Sequence, residues 1–163
     1  MTVLKRQSPW GYALICDDIR KEFTGKFIYT GVYTNDIIIF TPLPVNLPKL
    51  GFVVAYYENR GESKDNIIIF VCVPGASREA PTAKLEITRE QFDAATEALA
   101  LDDDDSLVGI IATLELSPVE IKEPGMLRIW AERGDLELKL HKLRVVSQPM
   151  SLQQDRQQPV KTN

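Results

Sequence analysis

Residues 66–73 read NIIIFVCV, one asparagine followed by seven apolar residues with no polar alternation. The run is far shorter than the roughly 20 apolar residues that cross a bilayer. β-Branched residues dominate it, so it predicts a strand covered on both faces. In a small two-layer protein one face meets the opposite sheet. The other must meet a helix, a loop or a second subunit, and a homodimer contact around residues 66–73 is therefore expected.

Other short runs repeat this theme. Residues 12–16 form a first apolar strand, and 26–34 alternate as a strand rich in aromatic and β-branched residues. Asn35 and Asp36 then separate it from 37–40, which predicts a hairpin over 26–40. Pro42, Pro44 and Pro48 follow; lacking N–H donors, they predict an extended connection crossing between sheets rather than a ladder strand. Residues 51–58, GFVVAYYE, are a further strand, and 107–116 another, while SPVEIKEPG at 117–125 reads as a turn-rich link.

The clearest hairpin joins 126–133 to 135–141 through Gly134 and Asp135, with 143–146 as a last strand. Leu127, Ile129 and Ala131 share one face, as do Leu136, Leu138 and Leu140. Arg128, Glu132, Glu137, Lys139 and His141 point the other way. One helix stands out at 88–101: Thr88 and Gln91 fit a capping box, and Phe92, Ala95 and Leu99 follow at helical spacing. These pieces predict an all-β fold, an antiparallel β-sandwich of about 7–9 strands with one short helix. A single domain over 1–146 and a polar, glutamine-rich tail over 147–163 complete the organisation.

The stretch ALICDDIRKEFTGKFIYTGVYTNDIIIF resembles an uncharacterised bacterial family, a domain of unknown function. The resemblance rests on Ala13, Leu14, Ile15, Cys16, Asp17, Asp18, Ile19 and Arg20, then Gly25, Lys26, Gly31, Val32, Tyr33, Asp36 and Ile37. Asn35 stands where the family pattern has Gly. EPGMLRIWAERGD looks like the family's C-terminal hairpin. The resemblance implies an all-β sandwich in a bacterial cytosolic protein and assigns no activity.

Charge narrows the partners. The chain of 163 residues carries a formal net charge of −4, which argues against sequence-independent nucleic-acid binding. Acids concentrate at 86–105, eight against the single base Arg89, whereas from 122 onward eight bases face five acids. The opening MTVLKRQSPW has no apolar core of signal-peptide length, and no membrane association is expected; the expectation is a cytoplasmic protein. Cys16 and Cys72 sit in apolar runs and are read as buried thiols.

The chemistry-bearing patterns are few. His141 is the one histidine, so a Cys–His pair would need it to meet Cys16 or Cys72, and four-coordinate zinc lacks ligands. Calcium is the metal the sequence allows, through Asp102, Asp103, Asp104 and Asp105 converging with Asp17 and Asp18, or with Asp36 or Asp65. Arg133, Gly134 and Asp135 spell RGD, which fits hairpin-turn chemistry better than adhesion. Trp130, on the face of Arg128, is a candidate contact hot spot for a protein partner. The expected function is a non-catalytic binding or assembly module without a cofactor. The alternative is a calcium- or other metal-dependent β-sandwich binding domain or hydrolase using its acidic loops.

Overall fold

Short β-branched runs broken by turn residues fold as the pattern requires. The computed structural model describes residues 8–97 and 107–148. In chain order these form β1 (Trp10–Cys16), β2 (Asp18–Lys21), β3 (Phe27–Thr30), β4 (Asp36–Ile39), β5 (Val45–Leu47), β6 (Leu50–Asn59), β7 (Ile67–Cys72) and β8 (Ala83–Ile87). The helix α1 (Arg89–Glu97) follows, then β9 (Leu107–Leu116), β10 (Val119–Ile121), β11 (Gly125–Arg133) and β12 (Leu136–Ser147). A three-stranded sheet, β1-β6-β9, faces a five-stranded sheet, β4-β12-β11-β7-β8. The small ribbons β5-β10 and β2-β3 complete an all-β fold with one short helix.

The core lies between the two main sheets. Phe52, Val54 and Tyr56 of β6 meet Ile67, Ile69 and Val71 of β7, Leu127, Ile129 and Ala131 of β11, and Leu143 and Val145 of β12, all buried. The second face of the apolar run, for which a helix, a loop or a second subunit was expected, is covered by the chain itself. β7 is an interior strand between β11 and β8, and on its outer side Phe70 stacks against Trp130 while the Cys72 thiol donates to Ser77 O at 3.1 Å.

Several expected connections are corrected. Residues 26–40 do not form a hairpin: β3 pairs with β2, and β4 pairs in parallel with β12, Asp36 opposite Arg144. Gly31 ends β3 in a left-handed conformation (φ +67°), and the Asp17 carboxylate fills the place a Cβ would take. The true hairpin turn lies at Gly25 (φ +86°). The link 117–125 contains β10, whose Val119 and Ile121 are buried, paired with β5 inside the proline-rich crossing. Ser147, expected in the tail, ends β12, and Gln148 N donates to Ile39 O.

The capping box forms as read: Thr88 N donates to Gln91 Oε1 at 2.9 Å and Gln91 N to Thr88 Oγ1 at 3.3 Å. The buried stripe of α1 is Phe92 and Thr96, with Ala95 exposed; Thr96 Oγ1 is satisfied by the carbonyls of Phe92 and Asp93. Leu99 lies outside the described residues.

One polar cluster is buried in this apolar frame. Glu58, fully buried near the end of β6, accepts from Arg133 Nη1 (2.9 Å), Arg89 Nη1 (2.7 Å) and Tyr56 Oη (3.0 Å). Arg133 also donates to Glu62 at 3.0 Å, and Arg89 to the Asp65 carbonyl at 3.1 Å. Burial alone would ease the proton off Arg133, but the Glu58 and Glu62 carboxylates outweigh it and hold the guanidinium charged. Removing one member leaves the others buried without compensation. Glu58→Gln is therefore expected to lower stability by about 3–5 kcal/mol in urea denaturation; a loss well under 1 kcal/mol would show the cluster to be solvated.

Candidate functional site

β11 and β12 pair in register from Arg133↔Leu136 to Trp130↔Lys139, and then a bulge between Ile129 and Trp130 shifts the pairing so that Arg128 meets Lys142. The bulge moves the core face of β12 from Leu138 and Leu140 to Leu143 and Val145. It also places His141 opposite Ile129, out of strict alternation. A cleft of about 730 Å³ lies here, lined by Met126, Arg128, Trp130, Lys139, His141 and Lys142 with parts of Ile129, Glu137 and Leu140.

Cross-strand register builds the outer face of the five-stranded sheet in rows. One row runs Lys84, Phe70, Trp130, Lys139, and the next runs Cys72, Arg128, Lys142. Phe70 and Trp130 stack with centroids 6.1 Å apart, and the Lys84 ammonium sits 5.9 Å from the Phe70 ring centre. The preceding row brings Glu132 directly opposite Glu137, a repulsive pair that Arg78 resolves by pairing with both carboxylates. Among the described residues Arg128, Lys139 and Lys142 have no carboxylate partner, so the cleft is cationic in an acidic chain.

Two ring nitrogens in the cleft lining, Trp130 Nε1 and His141 Nε2, are buried without a hydrogen-bond partner. Each unmade bond costs free energy: the indole N–H lacks an acceptor, and the imidazole nitrogen lacks a partner. Burial also disfavours the His141 imidazolium, holding its pKa below the usual 6.5.

The residues singled out from sequence separate clearly. Trp130 and Arg128 fall together in the cleft, on the side opposite Leu127 and Ile129, and Phe70 stacks on the half-buried Trp130. Asp18 pairs with Lys49 and Arg20, which hold its carboxyl below the ordinary range, and Asp17 accepts from Tyr33 Oη. Asp36 is held by both Arg144 nitrogens at 3.0 and 2.7 Å, and Asp65 by Ser63. Among the described residues no group of three or more His, Cys, Asp or Glu side chains is placed to share a metal ion. Asp102, Asp103, Asp104 and Asp105 lie outside the described residues.

Cys16 and Cys72 are free and buried; burial pushes both thiols up, away from the reactive thiolate, and neither lines the cleft with His141. Arg133 of the RGD tripeptide is buried against Glu58, leaving Gly134 and Asp135 as the hairpin turn. Sequence reasoning placed Lys139 on the right face without assigning it a role, and missed Lys142, Phe70 and Lys84. A simple hairpin register would have found Trp130↔Lys139; it would have set His141, not Lys142, opposite Arg128, because the bulge carries no obvious signature.

Comparison with protein-family models, with curated proteins and with solved structures finds no match to this chain. The cleft is thus the guide to function.

Its histidine gives a measurable pH response. Because the folded state disfavours the charged ring, the unfolded chain binds the proton first; stability is full above about pH 6.5 and falls as pH drops through the lowered folded value. Asp18, Asp36 and Glu62, whose pKa values are also lowered, act only near and below the ordinary carboxylate range, a separate window. Thermal midpoints taken from about pH 7.5 to about pH 5.5 are expected to fall in the native chain and to flatten in His141→Gln. An equal slope in the variant would place the proton uptake elsewhere.

Proposed function

We propose that the protein is a non-catalytic binding module that holds an acidic segment of a partner protein against the β11–β12 cleft. The observation that carries this reading is the row Lys84–Phe70–Trp130–Lys139 beside Arg128 and Lys142: a flat aromatic centre rimmed by unpaired cations. A carboxylate entering the cleft gains charge-assisted hydrogen bonds from Arg128 or the lysines. An apolar or aromatic side chain beside that carboxylate stacks on Trp130, the kind of half-buried anchor that dominates interface energies. The lining side chains include no Ser, Thr or Cys nucleophile, and Glu137 is engaged by Arg78, which supports binding over covalent catalysis.

Two buried, unpaired thiols fit a reducing compartment such as the cytoplasm. Among the described residues no helix is long and apolar enough to cross a membrane.

The test uses a random copolymer of glutamate and tyrosine as the acidic, aromatic probe. Fluorescence anisotropy is expected to report binding that weakens with salt, and Arg128→Glu, at an exposed position, is expected to weaken it at least about tenfold without moving the thermal midpoint. Equal affinity of Arg128→Glu and the native chain would overturn the reading.

A further inference from the structure

We propose that β9 is a dimerisation edge, pairing antiparallel with β9 of a second copy to form one continuous sheet, β1-β6-β9 followed by β9-β6-β1. This site is separate from the cleft and does not depend on the function proposed for it.

Each main sheet ends in strands whose free side must be managed, because a bare edge is a template for pairing. β1 closes against β12: a Cβ on Gly11 would lie 2.8 Å from Leu140 Cδ2. β8 is five residues long, follows Pro81 and carries Lys84 and Glu86. β4 is four residues long, with Pro42 and Pro44 just beyond it. β9 differs from all three. It runs ten residues, LVGIIATLEL, with an unbroken register against β6 from Asn59↔Leu107 to Leu50↔Leu116. It contains no proline, no lysine or arginine and no bulge, and among the described residues no strand pairs with its other side.

Burial along β9 points the same way. Ile110, Ala112, Leu114 and Leu116 face the core and pack on it, yet each remains only half-buried even though α1 packs against this strand. On the outer face Ile111 is 57% exposed, the largest value for an aliphatic side chain among the exposed hydrophobics. Extending the sheet would cover the half-buried core residues and Ile111 together while satisfying the edge backbone groups.

The strand is also compatible with itself. A twofold axis perpendicular to the sheet keeps paired side chains on one face. With the axis at Ile111, the two Ile111 side chains meet, Gly109 lies opposite Thr113 of the second copy, and Glu115 lies opposite Leu107 of the second copy. Glu115, the one charged residue of β9, therefore never faces its own copy.

The test is mass in solution together with cross-linking. By size-exclusion chromatography with light scattering at near-millimolar chain concentration, the native chain is expected at twice its 18.4 kDa. Ile111→Lys is expected at the single-chain mass with an unchanged circular-dichroism spectrum, and Arg128→Glu should remain dimeric. Under mild oxidation Ile111→Cys should form an intermolecular disulfide rapidly, and Glu115→Cys should not. A native chain that stays monomeric, an Ile111→Lys chain that stays dimeric, or equal cross-linking at 111 and 115 would each overturn the proposal.

Discussion

Glu58 is a fully buried carboxylate, and such a charge persists in an apolar interior only when it is closely paired. Here Arg133 comes from β11, Arg89 from the first turn of α1, and Tyr56 from the same strand two residues earlier. One carboxylate thereby ties the three-stranded sheet to the five-stranded sheet and to the helix. The Arg89 guanidinium also lies 4.8 Å from the centre of the Phe92 ring, which meets Tyr56 edge-on, so polar pairing and apolar packing fix the same position of α1. Such a cluster contributes little net stability against a well-packed apolar substitute. Its effect is on register. A one-residue slip of β11 would carry Arg133 to the outer face and abandon Glu58.

That register is what the cleft depends on. With Arg133 held inward at the end of β11, the even-numbered residues Arg128 and Trp130 must point outward, and Trp130 falls opposite Phe70 on one side and Lys139 on the other. The bulge then adds one residue on β12 and brings Lys142, rather than His141, beside Arg128. A strictly regular hairpin would put a histidine in the cation row and bury a lysine. The local irregularity is therefore what concentrates positive charge around Trp130 in a chain whose net charge is negative.

Local pattern made much of this legible. The β6, β9 and β11 runs, the Gly134-Asp135 turn, the capping box of Thr88 and Gln91 and the burial of both cysteines all follow from propensity, period and turn chemistry over a few residues. What was not legible is non-local. The pairing of residues 26–40 with one another was the expectation because Asn35-Asp36 looks like a hairpin turn, yet Arg144 captures Asp36 from a strand over a hundred residues away and draws β4 into a parallel pair. Glu58 closes the run 51–58 and Arg133 the run 126–133, and nothing near either residue announces the other. Ala95 fits a helical stripe by spacing, but the face of α1 is set by Arg89 and Phe92, which turn Thr96 inward instead.

The two surfaces have a geometric consequence when taken together. A twofold axis perpendicular to the three-stranded sheet turns each copy within the plane of that sheet without inverting it. The outer faces of the two five-stranded sheets then look in the same direction, and both clefts open on one side of the assembly. A partner with two acidic segments, or with one repeated along its length, would engage both clefts at once. The second contact would be intramolecular, raising avidity without adding to either site. Modest affinity at each cleft, natural for a salt-screened cationic rim on a mostly exposed surface, would then suffice for a stable complex. On this view the edge strand and the cleft are parts of one design, in which β9 supplies the valency and the bulged hairpin the chemistry.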